Sequence, residues 1–174
     1  MNKAASESSL LTMSSESSRR RARFGDCALI EIIHLHDCLR GAVARLQADV
    51  EELDSSEDAY NRIAGRIHVI WSVFRAHSSA EDAFIWPALN KKASMLKNTN
   101  HNIVEEYEED HADEERMFEE MDLLIKQFRS KNRDPELVQK MRHHTAALAT
   151  HLQTHLSKEE TECMPLVVEH LTKE

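Results

Sequence analysis

Two copies of one spacing stand out in this 174-residue chain, His77-x-x-x-Glu81 and His155-x-x-x-Glu159, together with His36 and His111 inside otherwise apolar helical stripes. Residues i and i+4 share a helix face, so each pair would present an imidazole and a carboxylate to the same neighbour. Imidazole nitrogens and carboxylate oxygens are ligands for divalent first-row metals, and ligand type alone permits iron, zinc or manganese. His111 is followed at the same spacing by Glu115; an exposed, salt-bridged glutamate in the acidic run Glu105 to Glu115 is the competing reading of that residue. The candidate ligands are therefore His36, His77, Glu81, His111, Glu115, His155 and Glu159. A glutamate between two ions can bridge them, so this set suits two metals better than one.

Helices must position these residues. Leu29, Ile32, His36, Leu39, Val43, Leu46, Val50 and Leu53 follow alternating steps of three and four, with Asp26 placed to cap the helix. After Asp54-Ser55-Ser56, a second stripe runs Tyr60, Ile63, Ile67, Ile70, Phe74, His77, Glu81, Phe84 and Ala88, until Pro87 and Lys91-Lys92 disturb it. The third runs Val104, Tyr107, His111, then Glu114 or Glu115, Phe118, Met121, Ile125 and Phe128. Asp134-Pro135 is an N-cap with proline at the first helical position, and opens a fourth stripe: Leu137, Met141, His144, Leu148, Leu152, His155, Glu159, Cys163 and Leu166. The expected fold is all-α, an up-down-up-down antiparallel four-helix bundle over residues 24–174. Residues 1–23, with seven serines and the basic run Arg19-Arg20-Arg21-Ala22-Arg23, read as a disordered tail.

Antiparallel neighbours at one height lie equally far from the loop between them. His36 and His77 are centred beside Ser56; the His77/Glu81 and His111/Glu115 pairs are centred on Leu96; the His111/Glu115 and His155/Glu159 pairs are centred on Pro135. Each centre falls in a break assigned without reference to the histidines, so the polar residues of all four helices form one layer. Burying unpaired carboxylates and imidazoles costs several kcal/mol each, a large load for a fold stable by only about 5–15 kcal/mol. Bound cations turn the repelling groups into ligands. A four-helix interaction module without metal would have to place all three centres by accident.

Other residues read more plainly. His34, His68, His101, His143 and His170 lie off the stripes or at helix ends and should be solvated. His144 and His151 border the fourth core face, and His151 is a reserve ligand or outer donor. Trp71, Phe74, Phe84 and Trp86 are expected to pack around a dry pocket. Only 3 Gly and 3 Pro argue against a β-sandwich or a dinucleotide-binding fold. The net charge of -9 argues against nucleic acid or an anionic membrane as partner. Three scattered cysteines cannot build a disulfide framework or zinc finger, which fits a reducing, cytoplasmic setting; the basic run would suit nuclear import. The apolar runs are far shorter than the roughly 20 residues a membrane span requires.

Ala76-His77-Ser78-Ser79-Ala80-Glu81-Asp82 with the following Trp86-Pro87, His36-Asp37 upstream, Asp110-His111, and His155-Leu156-Ser157-Lys158-Glu159-Glu160 ending in Met164-Pro165 resemble the hemerythrin-like (HHE cation-binding) family. The stretch around His77 is most similar to the hemerythrin-like domains of plant and algal iron-sensing ubiquitin ligases. The resemblance implies two non-haem iron ions, with His36, His77, His111 and His155 as terminal ligands and Glu81 and Glu159 as bridges. Oxygen-carrying hemerythrins place a histidine where this chain has Glu115, and close the fourth-helix motif with aspartate at a longer spacing. The leading expectation is a module that binds or senses iron, and oxygen beside it, acting through a protein partner or as one domain of a larger protein. The alternative is an O2 or NO carrier or scavenger. A di-iron oxidase has the least support, since no Ser-His-Asp order, P-loop or second Glu-x-x-His motif on a core face accompanies the site.

Overall fold

Stripes at three-and-four spacing bury one face per helix, and the computed structural model, which describes residues 30–53, 57–93, 103–130 and 134–171, turns them into four rods. The elements are α1 (Ile30–Glu51), α2 (Glu57–Ala80), α3 (Trp86–Ala93), α4 (Ile103–Ser130), α5 (Pro135–Lys158) and α6 (Met164–His170). A π-helical turn at Glu81–Ile85 joins α2 to α3, and another at Glu159–Cys163 joins α5 to α6. Asp134 caps α5 by accepting from the Glu136 N–H at 2.9 Å, with Pro135 following it. The tail 1–23, Asp26, Leu29 and the breaks 54–56 and 94–100 lie outside the described residues.

Cross-helix contacts fix the topology. Arg62 near the start of α2 donates to Asp49 near the end of α1 at 3.2 Å, and Arg142 early in α5 donates to the carbonyl of Glu51 at 2.8 Å. Trp71 meets Glu115, whereas the later Asp82 meets the earlier His111. His144 donates to the Met117 carbonyl, whereas the later Lys158 meets the earlier Glu106. Each rod therefore runs antiparallel to both neighbours around a closed square of α1, α2, α4 and α5. The bundle is all-α and antiparallel as its sequence predicts.

The core is divided in two. Leu39, Val43, Leu46, Ile67, Phe74, Phe118, Met121 and Leu152 belong to the main apolar cluster, and Ile33, Trp86, Leu89, Tyr107, Cys163, Met164 and Val167 form a second at one end. On each rod the boundary between them is a buried histidine, His36, His77, His111 or His155. The polar layer is thus sealed above and below by hydrocarbon.

Both π-turns shift the register. The Trp86 N–H bonds back to the Glu81 carbonyl and the Met164 N–H to the Glu159 carbonyl, and a proline follows each closing residue. Proline removes one ordinary helical hydrogen bond and crowds the preceding turn, which a wider turn accommodates. Inward positions after Glu81 therefore fall at Trp86 and Leu89, and Phe84, expected to pack inside, is 73% exposed. In α6 the buried residues are Met164 and Val167, not Leu166, and at the start of α1 the buried residue is Ile33, not Ile32.

Candidate metal centre

The inner layer contains four imidazoles and two carboxylates within one small volume. His36 Nε2 lies 3.2 Å and His155 Nε2 3.4 Å from opposite oxygens of Glu159. Glu81 Oε2 lies 3.4 Å from His77 Nε2 and 3.5 Å from His111 Nε2. The rings form two pairs, His36 with His77 at 5.0 Å and His111 with His155 at 4.9 Å between centroids. Two ligand groups result: His36, His77, Glu81 and Glu159, and His111, His155 and Glu159, each with donor atoms within 4.8 Å of one another. Glu159 belongs to both, and Glu81 touches a histidine of each.

All four Nε2 atoms and both oxygens of Glu81 and of Glu159 are buried without a hydrogen-bond partner among the described residues. Orphaned buried polar atoms are rare because each costs about 1–3 kcal/mol or more. Nitrogen and oxygen donors converging in this way fit metal cations.

Outer carboxylates set the direction of the rings. Glu160 accepts from His36 Nδ1 at 3.0 Å, and Asp82 accepts from His111 Nδ1 at 2.8 Å. A carboxylate can only accept, so each Nδ1 carries a proton, and Nε2, which faces the centre, is the nitrogen left to bind a metal. Arg40 donates to Glu160 at 2.6 Å and to Gln153 at 3.0 Å, tying this outer contact to α5. Burial works against the charge of Glu160, but His36 and Arg40 hold its carboxyl below the usual range.

Without a cation the layer is electrostatically frustrated. Burial, reinforced by Glu159, pushes the Glu81 carboxyl up to about 9. Burial also opposes ionisation of Glu159, but His155 and His36 outweigh it and hold that carboxyl far below its ordinary value. His77 is pushed down to about 3 by burial and by His36.

A profile of the hemerythrin HHE cation binding domain matches residues 29–168, from the start of α1 into α6. The chain belongs to this hemerythrin HHE family. It is accordingly a cation-binding module. A stretch of 73 residues, 40% of the chain, is 36% identical to the zinc finger protein BRUTUS of Arabidopsis thaliana and spans only 5% of that protein's length. No solved structure matches the chain with significance.

The HHE domain brings six of the seven sequence candidates together and leaves one outside. Glu115 turns away from the layer to accept from Trp71 Nε1 at 2.7 Å and to pair with Arg75. Its neighbour Glu114 takes the inward position, fully buried, with His151 Nδ1 3.3 Å from one oxygen. His111 starts a turn in which the residue three places on, rather than four, points at the core. His151 thus meets an inner carboxylate, while His144 donates to a backbone carbonyl at 2.7 Å. The outer acceptors Asp82 and Glu160 were missed, although each immediately follows an inner glutamate. The repeated acidic doublets Glu81-Asp82 and Glu159-Glu160 were the available signal.

Proposed function

We propose that the chain holds two iron ions between its helices and serves as an iron-sensing or iron-binding module. The observation that carries this reading is the set of orphaned donor atoms, four Nε2 nitrogens and four carboxylate oxygens facing one buried volume. His36 and His77 would hold one ion, His111 and His155 the other, and Glu81 and Glu159 would span the two. Iron bound there supplies positive charge to the carboxylates and a redox-active centre. Glu160 and Asp82 hold the Nδ1 protons of His36 and His111, keeping both rings aimed inward. The apolar clusters on either side keep water from the donor atoms.

Sensing follows from linkage. A ligand that binds only the folded state stabilises it in proportion to its occupancy, so loss of iron loosens the layer and changes the surface a protein partner meets. Limited proteolysis and far-ultraviolet circular dichroism of iron-loaded and chelated chain test this. Faster cleavage near the π-turns and lower helicity after chelation support it; identical digestion and helicity in both forms would overturn sensing.

A second reading, binding of O2 or NO, is favoured by one feature. A crevice of about 380 Å³ between α1 and α2, lined by Ile32, Leu35, Val73, Ala76 and Ile85, reaches His77 and Glu81. A reversible change in the visible spectrum of the reduced, loaded chain on exposure to gas would support it.

A further inference from the structure

Two crevices lead to the buried ligands, and their walls differ in chemistry. Apart from Glu31 and the ligands themselves, the one between α1 and α2 is aliphatic. The other, between α4 and α5, has a volume of about 740 Å³; Glu106, Asp110, His143, His151 and Lys158 line it among alanine, threonine and methionine side chains, and it reaches His155. His155 is only 1% exposed, and its Nδ1 has no hydrogen-bond partner among the described residues, although Asp110 Oδ2 stands 3.4 Å away. Asp110 also faces the cleft mouth, where Lys158 Nζ lies 3.1 Å from it, pairs with Glu106 and sits 4.8 Å above the Tyr107 ring.

We propose that the α4–α5 cleft is the route by which divalent cations enter and leave the buried centre, with Glu106 and Asp110 as its oxygen ligands and Lys158 as its electrostatic gate. The inference rests on the metal-centre reading above. A divalent ion gives up its water in steps and needs oxygen atoms to replace it, and apart from the ligands the α1–α2 crevice offers only the Glu31 carboxylate, which meets His34 Nδ1 at 3.1 Å. Lys158 occupies those oxygens with an ammonium, so an ion passing the mouth must both displace it and meet its charge. Charged, low-dielectric clefts change rates of ion encounter by about 10–1,000-fold. The gate should therefore govern speed and leave the final occupancy alone.

The test loads the full chain with ferrous iron under anaerobic conditions and follows release to an excess of a coloured ferrous chelator. Lys158→Met should release iron about tenfold faster than the native chain at equal initial iron content. Lys158→Arg should match the native rate, and Glu106→Gln, which leaves the mouth more positive, should slow release severalfold. Val73→Trp, which fills the aliphatic crevice, should have no effect. Native rates in both Lys158→Met and Glu106→Gln, or slower release in Val73→Trp, would overturn the route. If Lys158→Met loses helicity, Glu106→Gln and Lys158→Arg carry the test between them. Failure of the native chain to hold iron would overturn the metal-centre reading and the route together, whereas a loaded chain with unmoved rates overturns the route alone.

Discussion

Glu160 accepts a hydrogen bond from His36 Nδ1 at 3.0 Å, across the interface between the first helix and the last rod of the bundle. It lies one residue beyond Glu159, whose oxygen is 3.2 Å from the other nitrogen of the same ring. Two consecutive glutamates thus face one imidazole from both sides. The π-turn that begins at Glu159 presents both, and Glu159 and Glu160 are each buried.

Replacing the outer glutamate should weaken metal binding without unfolding the bundle. Glu160→Gln keeps the shape but weakens the acceptor that holds the His36 proton. Loss of such an outer partner typically costs about 10–100-fold in metal affinity. Competition with a chelator of known affinity checks this, with circular dichroism showing retained helicity. Affinity within twofold of the native chain would assign Glu160 a purely structural role with Arg40.

Glu81 and Glu115 should respond in opposite ways. Glu81→Gln removes a carboxylate whose oxygens have no hydrogen-bond partner among the described residues, so bound metal should fall by at least half. Glu115→Gln breaks only a contact with Trp71 and Arg75 outside the layer and should leave metal content unchanged. Elemental analysis of the purified variants distinguishes the two, and parallel loss in both would return Glu115 to the ligand set.

The metal-free chain should lose stability as pH rises from 6.5 to 9. Glu81 has its folded pKa raised to about 9 by burial and Glu159, so its neutral form favours the fold and its ionisation disfavours it. Below its unfolded value this contribution is fully present; it is lost at about 1.4 kcal/mol per pH unit as pH rises toward the folded value. His36 and His155 are lowered by burial but raised further by Glu159, and their net upward shift acts in the same direction above 6.5. His77, at about 3, stays neutral across this window. Thermal melts of chelated protein should show a falling Tm, largely flattened by Glu81→Gln, while the gap between loaded and chelated forms widens. A chelated Tm that rises with pH would contradict this account.

The register after the first π-turn predicts a contrast between two aromatics. Trp86, 1% exposed and stacked on Tyr107 at 5.2 Å, should cost about 3–5 kcal/mol on replacement by alanine. Phe84→Ser, on the exposed side of the same turn, should change stability by less than about 0.5 kcal/mol. Chemical denaturation of the loaded chain measures both.

These contrasts mark how far the sequence could be read. Stripes, breaks and the Asp134 cap depend on local periodicity, which is why the four rods and the common height of His36, His77, His111 and His155 were legible. A π-turn adds a residue without a strong signature in the stripe itself, so the positions beyond Glu81 and Glu159 slipped: Phe84 went outward and Val167 inward. Glu114 and Glu115 are adjacent, and helical spacing admits either at the core; Trp71 and Arg75 on the neighbouring helix decide which one turns out. Asp82 and Glu160 act on residues of other helices, a relationship that spacing along one helix does not contain.

The most direct test of the central claim is the iron content per chain of protein made in iron-replete cells, measured by elemental analysis beside the His77→Ala/Glu81→Ala double variant. Close to two irons per native chain, lost in a variant that stays helical, is the predicted result. A native chain with no metal, or with zinc in place of iron, would contradict the account.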